Sequence, residues 1–204
     1  MIKNIIFDFG NIIVKFNEYK LVSEFTDNEE VKRFLIDNVI NSDEWVGKGM
    51  IDLGILSLEE AANRINEKTN NIHKDEVTNF LLGFSNKLII NDNILEIIEN
   101  LRNKGYKTYV LSNTNKVTFD LFRDKLEPFF DGLVLSYEIN MIKPFEKIYE
   151  HLLETYHLNP NECIFLDDRE ENIITANRLG INGRVIKKDD TDDIIKALKE
   201  YNLI

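Results

Sequence analysis

The chain has 204 residues, a single cysteine and a formal net charge of -11. That length suits one domain, or one domain carrying an inserted subdomain. The acidic balance argues against nucleic acid, whose phosphate backbone needs clustered Lys and Arg. One cysteine leaves no intrachain disulfide. The composition, 43% hydrophobic and 30% charged, is that of a globular chain. No apolar run approaches the ~20 residues of a membrane span, and the start MIKNIIFDFG lacks a signal peptide's apolar core. No membrane partner and a cytoplasmic location are therefore expected.

In chain order, Ile5, Ile6 and Phe7 form an apolar run without alternation, which suits a strand buried on both faces of a parallel sheet. A strand is predicted over 3–8. Asp8 ends it, and Gly10 and Asn11 then allow a tight turn. The span 16–88 reads as helical. VSEFTDNEEVKRFLIDNVI has helical spacing, Ser57 with Glu60 makes a capping box, and HKDEVTNFLLGF reads as a further helix. Between them, WVGKGMIDLGILS holds three glycines and the lone Trp45.

After residue 90 helix and strand alternate. A helix over 93–103 stops at Gly105. Strands follow at 107–112, 132–136, 163–167 and 183–187, separated by helices. Pro144 suits the first turn of one helix, and Gly180 ends another. Asp189, Asp190, Asp192 and Asp193 precede the last helix, where negative charge favours an N-terminus. The pattern predicts an α/β fold, a doubly wound parallel five-stranded Rossmann-like core. About 75 residues between the first two strands are too many for a crossover. Residues 1–15 and 89–204 are therefore expected to form the core, and 16–88 an inserted all-helical cap subdomain.

Ligands in open α/β sheets bind beyond the carboxyl ends of the strands. Asp8 sits at such an end. So do Ser112 and Asn113 after the second strand, Lys143 beyond the third, and Asp167 with Asp168 at the fourth. Each has a plain alternative: a helix cap, a solvated lysine, an acidic helix start. Together they suit phosphoryl transfer through a carboxylate nucleophile. In that chemistry Asp8 would attack phosphorus, and Asp168 would help hold Mg²⁺, a hard cation that prefers oxygen. The Ser112 hydroxyl and the Asn113 N–H would hold phosphoryl oxygens, while Lys143 would add positive charge beside Asp8. Cys163 reads as a buried core thiol. His73, His151 and His157 show no ligand spacing.

These motifs, FDFGNIIV, VLSNTN, Lys143-Pro144 and FLDDREENI in that order, resemble the haloacid dehalogenase superfamily across essentially the whole chain. DLGILS resembles the cap segment that precedes a cap helix in the branch with a helical cap after the first strand. The resemblance implies that Asp8 is the nucleophile. It also implies metal ligation by Asp8, the Gly10 carbonyl and Asp168, with Asp167 and Asn172 in support. One departure stands out. The family's D-x-D places a second Asp as general acid and base where this chain has Gly10. The same D-x-G-N turn occurs in a branch similar to sugar-phosphate phosphatases, including glucose-1-phosphate phosphatases. The expected activity is Mg²⁺-dependent hydrolysis of a small phosphorylated metabolite, such as a sugar phosphate, through an aspartyl-phosphate. A 2-haloacid dehalogenase and a non-catalytic sugar-phosphate-binding protein are the competing readings. The Asp167-Asp168 pair weighs against the dehalogenase, which needs no metal. Trp45 and Lys48 are expected to face the substrate, although a lone Trp is more often core.

Overall fold

A computed structural model describes residues 1–204, with the surroundings of Gly47 left aside. Five strands form one parallel sheet: β1 (Asn4–Phe7), β4 (Lys107–Ser112), β5 (Gly132–Leu135), β6 (Cys163–Asp167) and β7 (Asn182–Val185). Their spatial order is β5-β4-β1-β6-β7, so β1 is central. Asn4 to Phe7 pair with Lys107 to Val110 on one side and with Cys163 to Leu166 on the other. Ile5, Ile6 and Phe7 are all fully buried. Ile5 and Phe7 pack into the apolar cluster on one sheet face and Ile6 into the cluster on the other. Successive strand side chains point to opposite faces, and both faces are covered, so the run shows no alternation.

The remaining two strands, β2 (Val14–Lys15) and β3 (Ile89–Ile90), pair antiparallel as a separate ribbon. The helical block leaves β2 and returns to β3. It holds α1 (Glu18–Ser23), α2 (Glu29–Leu35), α3 (Leu58–Lys68) and α4 (Lys74–Gly83), with short π- and 3-10 turns and no strand. The Ser57 capping box at α3 is present in both directions: Ser57 Oγ accepts from Glu60 N at 3.1 Å, and Glu60 Oε2 accepts from Ser57 N at 2.8 Å.

Seven helices flank the sheet or join its strands. They are α5 (Asp92–Asn103), α6 (Lys116–Asp120), α7 (Arg123–Leu126), α8 (Ser136–Ile139), α9 (Glu146–Thr155), α10 (Glu170–Arg178) and α11 (Thr191–Glu200). Gly105 and Gly180 stop α5 and α10 at φ +93° and +85°, left-handed values that glycine reaches without strain. Asp190 caps α11 by accepting from Asp193 N, as its acidic approach predicts. Two expectations need correction. The single helix expected between the strands at 107–112 and 132–136, over KVTFDLFRDKL, breaks into α6 and α7 at Leu121–Phe122. Pro144 precedes α9, whose N-cap is Phe145, rather than sitting in its first turn.

Candidate active site

The C-terminal ends of β1, β4 and β6 lie side by side and bring the predicted motifs together. Asp8 follows β1, and its backbone N–H donates to Leu166 O at 2.9 Å. Its side-chain Oδ1 accepts from Phe9 N and from Lys143 Nζ, each at 2.7 Å. Oδ2 has no hydrogen-bond partner among the described residues.

Lys143 is not a solvated surface lysine. Its side chain is 1% exposed. The ammonium donates to Asp8 Oδ1 and Asp167 Oδ2 at 2.7 Å and to Leu111 O at 2.8 Å, which uses all three of its protons. Asn113 places the backbone around it. The Asn113 amide donates to Lys143 O at 2.9 Å and accepts from Lys143 N at 2.8 Å. Burial alone would lower the Lys143 ammonium, but the carboxylates of Asp167 and Asp8 outweigh it and hold the group above its ordinary value.

Asp167 is fully buried and saturated. Oδ1 accepts from Arg169 N, Oδ2 from Lys143, and both oxygens from Asn172 Nδ2. It therefore supports Lys143, and Asn172 supports it. Asp168 differs. Its Oδ2 accepts from Asn11 Nδ2 at 2.9 Å, with Lys188 Nζ at 4.0 Å, while Oδ1 faces no donor. Asn11 sits at φ +59° in the turn after β1. That conformation, signalled by the Gly10-Asn11 pair, is what aims its amide at Asp168. The role itself was not legible in the sequence.

Carboxylate oxygens of Asp8, Asp167 and Asp168 lie within 4.8 Å of one another. Burial pushes the Asp8 and Asp168 carboxyls up. Asp167 adds to the push in both cases, while Lys143 pulls Asp8 back and Asn11 pulls Asp168 back. Three carboxyls thus face one ammonium. The free oxygens Asp8 Oδ2 and Asp168 Oδ1 are hard ligands, and the donor set is oxygen only. These residues fit a divalent hard cation such as Mg²⁺, with the Gly10 carbonyl available in the same turn.

These groups open onto a cavity of about 500 Å³. Asp8, Gly10, Asn113, Lys143 and Asp168 line it from the sheet side, and Trp45, Asp52 and Phe84 from the helical block. Arg169 and Lys188 also line it and were not anticipated. The site residues are joined by one exception. Ser112 is fully buried, does not line the cavity, and its Oγ has no hydrogen-bond partner. Trp45 belongs to the core and also reaches the cavity wall. It is 5% exposed, packs 4.5 Å from Phe84 and 5.9 Å from Phe16, and still borders the cavity. Lys48 instead pairs with Asp43 at 2.8 Å and does not line the cavity. Cys163 is buried, and burial pushes its thiol up to about 11, which leaves it no nucleophilic role.

Gly10 has open space beside it: a Cβ built there meets no atom within 4 Å. Its backbone is outside the left-handed region, unlike that of Asn11. The absence of a carboxyl at this position is therefore not imposed by the fold.

Known proteins resemble this chain over most of its length. A haloacid dehalogenase-like hydrolase family profile matches residues 2–180. The chain is 31% identical over 192 residues to a D-ribitol-5-phosphate phosphatase of Bacteroides thetaiotaomicron, covering 88% of this chain and 89% of that one. It is 29% identical over 197 residues to a glyceraldehyde 3-phosphate phosphatase of Methanocaldococcus jannaschii, covering 78% and 86%. A predicted HAD-like family hydrolase from Porphyromonas gingivalis superposes with TM-score 0.73 at 26% identity, covering 98% of both chains. A HAD family enzyme from Bacteroides thetaiotaomicron, solved with magnesium and inorganic phosphate, superposes with TM-score 0.70 at 23% identity, covering 93% and 96%. With its family motifs converging at the ends of three adjacent strands, the chain belongs to the haloacid dehalogenase-like hydrolases.

Proposed function

We propose that this hydrolase is a phosphatase of small phosphorylated metabolites, of the sugar- or polyol-phosphate class, working through a covalent aspartyl-phosphate on Asp8. The observation that carries the reading is the floor of the cavity. A carboxylate with one free oxygen, Asp8 Oδ2, stands beside a buried ammonium and a second free carboxylate oxygen on Asp168. The names of the full-length relatives support the substrate class.

Asp8 attacks phosphorus. A P–O bond forms to its carboxyl oxygen, and the P–O bond to the departing alcohol breaks with its electron pair going to that oxygen, which takes up a proton. Water then attacks the aspartyl-phosphate, releases inorganic phosphate and restores Asp8. Lys143 holds Asp8 in place and offsets charge on the approaching dianion. Asn113 fixes Lys143, and the Asp167–Asn172 pair holds Lys143 from behind. The Asn113 N–H, in the cavity wall, is the donor we assign to a phosphoryl oxygen; the Ser112 hydroxyl, buried and outside the cavity lining, takes no part in this reading. Mg²⁺, which we place on Asp8, the Gly10 carbonyl and Asp168, supplies the positive charge that lets an anionic nucleophile meet an anionic substrate. The segment 16–88 is the cap in this reading, and its Trp45 and Phe84 give the cavity an apolar wall.

The test is hydrolysis of a panel of sugar and polyol phosphates, with Mg²⁺ and with chelator, by the unsubstituted protein and by Asp8→Asn. Turnover should require both Mg²⁺ and Asp8, and phosphate should be trapped on the Asp8 peptide. Undiminished hydrolysis by folded Asp8→Asn protein would overturn the mechanism. Release of halide from a 2-haloacid in chelator would favour the dehalogenase instead.

A further inference from the structure

The phosphatase reading leaves one task without an owner. The departing oxygen needs a proton, and Gly10 has no carboxyl to give it. In-line displacement puts the leaving group opposite the nucleophile, hence on the cavity side away from Asp8, where the helical block stands.

Five carboxyl residues line the cavity: Asp8, Glu18, Asp52, Asp168 and Glu171. Asp8 and Asp168 are committed to the floor. Glu171 accepts from the Arg169 guanidinium at 2.7 Å and is 47% exposed. Glu18 lies in the first turn of α1, with Lys188 Nζ at 3.6 Å. Asp52 alone is both buried and free of any cation within ion-pair distance among the described residues. Its carboxyl meets the side chain of Asn115. Asn115 Oδ1 is already engaged with Thr118 N at 3.0 Å, which leaves the amide Nδ2 to donate.

The segment carrying Asp52 is pinned to the sheet side. Asp52 O accepts from Ser136 Oγ, and that hydroxyl also accepts from Thr114 N at 2.9 Å. The next residue is held as well, since Leu53 O accepts from Asn140 Nδ2 at 2.7 Å. Gly54, at φ +69°, packs so close that a Cβ would meet Tyr137 O at 3.0 Å. A backbone fixed this way holds the Asp52 side chain steady in the cavity wall, as a proton donor requires.

We propose that Asp52 is the general acid of this enzyme, protonating the leaving alcohol in place of the carboxyl that Gly10 lacks. The inference rests on the phosphatase reading. Its chemistry fits. Burial pushes the Asp52 carboxyl up to about 7, against the hydrogen bond from Asn115 and the charges of Arg169 and Lys143, the cations that face it. An acid tuned near neutral pH is partly protonated when substrate binds and able to give the proton up. During the first step the proton passes from the Asp52 carboxyl to the departing oxygen, and Asp52 is left as a carboxylate. That carboxylate can take a proton back from the water that attacks the aspartyl-phosphate.

The experiment measures single-turnover formation of the aspartyl-phosphate with Mg²⁺ on two probes, ribitol 5-phosphate and p-nitrophenyl phosphate. A positioned acid contributes about 10²–10⁴-fold. Asp52→Asn, nearly isosteric, should lose that factor on the alkyl ester and far less on the aryl ester, whose leaving group is already acidic. Asp52→Glu should keep the basic limb of the pH profile, and Asp52→Asn should lose it. Gly10→Asp, for which there is room, should restore alkyl turnover in the Asp52→Asn background. Equal losses on both esters would show a positioning role only and overturn the proposal, as would an unchanged alkyl rate. Absence of phosphoenzyme from the unsubstituted protein on either ester would overturn the phosphatase reading and this inference with it. Phosphoenzyme formed normally, with Asp52→Asn indifferent to the leaving group, would overturn this inference alone.

Discussion

Lys143→Met tests how the site is held together. Methionine keeps most of the stem's volume and removes the ammonium. Three hydrogen bonds disappear: two to carboxylates at 2.7 Å and one to Leu111 O at 2.8 Å. Asp167 is left sealed at 0% exposure, where water cannot replace the lost donor, and Asp8, 10% exposed, can be reached only from the cavity side. Removing one partner of a buried ion pair costs about 3–5 kcal/mol. With a urea slope of about 2 kcal/mol/M, the unfolding midpoint should fall by roughly 1.5–2.5 M. The measurement belongs in chelator, so that only the chain's own charges act. The sign of the pH dependence follows from the raised value of Lys143. A base raised on folding contributes stability fully below its unfolded value of about 10.4 and loses it only as pH climbs through the folded one. The deficit of the variant should therefore persist from about pH 7 to pH 9. A deficit under about 1 kcal/mol, the scale of a solvent-exposed pair, would refute a charged, buried Lys143 as the keystone of the site.

Asp131 gives a test away from the site. Burial works to raise its carboxyl, but the hydrogen bond from Lys107, the Thr108 N–H and the charge of Arg102 outweigh it and hold it below its ordinary value. An acid lowered on folding contributes stability above its unfolded value of about 3.9 and loses it as pH falls through the folded one. Asp131→Asn should accordingly flatten the acid limb of the stability profile below about pH 5, read by urea unfolding. Ser57→Ala removes one arm of the α3 capping box and should cost about 1 kcal/mol. Asn113→Ala deletes both amide bonds to the Lys143 backbone. It should cost about 2 kcal/mol, at ~1 kcal/mol for each bond, and lower turnover through the loosened Lys143.

Elements whose signals are local were legible from the residues alone. The apolar run ending in Asp8 marked β1, glycines marked the ends of α5 and α10, and the Ser57–Glu60 box marked the start of α3. Strand ends carrying acids, Asn113 and Lys143 were legible because strand–turn–helix units place such residues at one edge of a parallel sheet. The two-residue strands β2 and β3 were not legible, since two residues carry no period. The break between α6 and α7 likewise had no Gly or Pro to announce it. Tertiary structure decided the rest. Lys143 read as equally fit for solvent until folding set it against Asp8, 135 residues away. Asp167 and Asp168 are neighbours of the same residue type. Yet one is saturated by Lys143 and Asn172 and the other keeps a free oxygen, because adjacent residues at a strand end face different surroundings. Asp52 opens DLGILS, a stretch that resembled a cap segment but carried no sign of a chemical role. Only the docking of that stretch on Ser136 and Asn140 puts a buried carboxyl in the wall of the cavity that Asp8 also lines, and burial, not sequence spacing, sets its protonation.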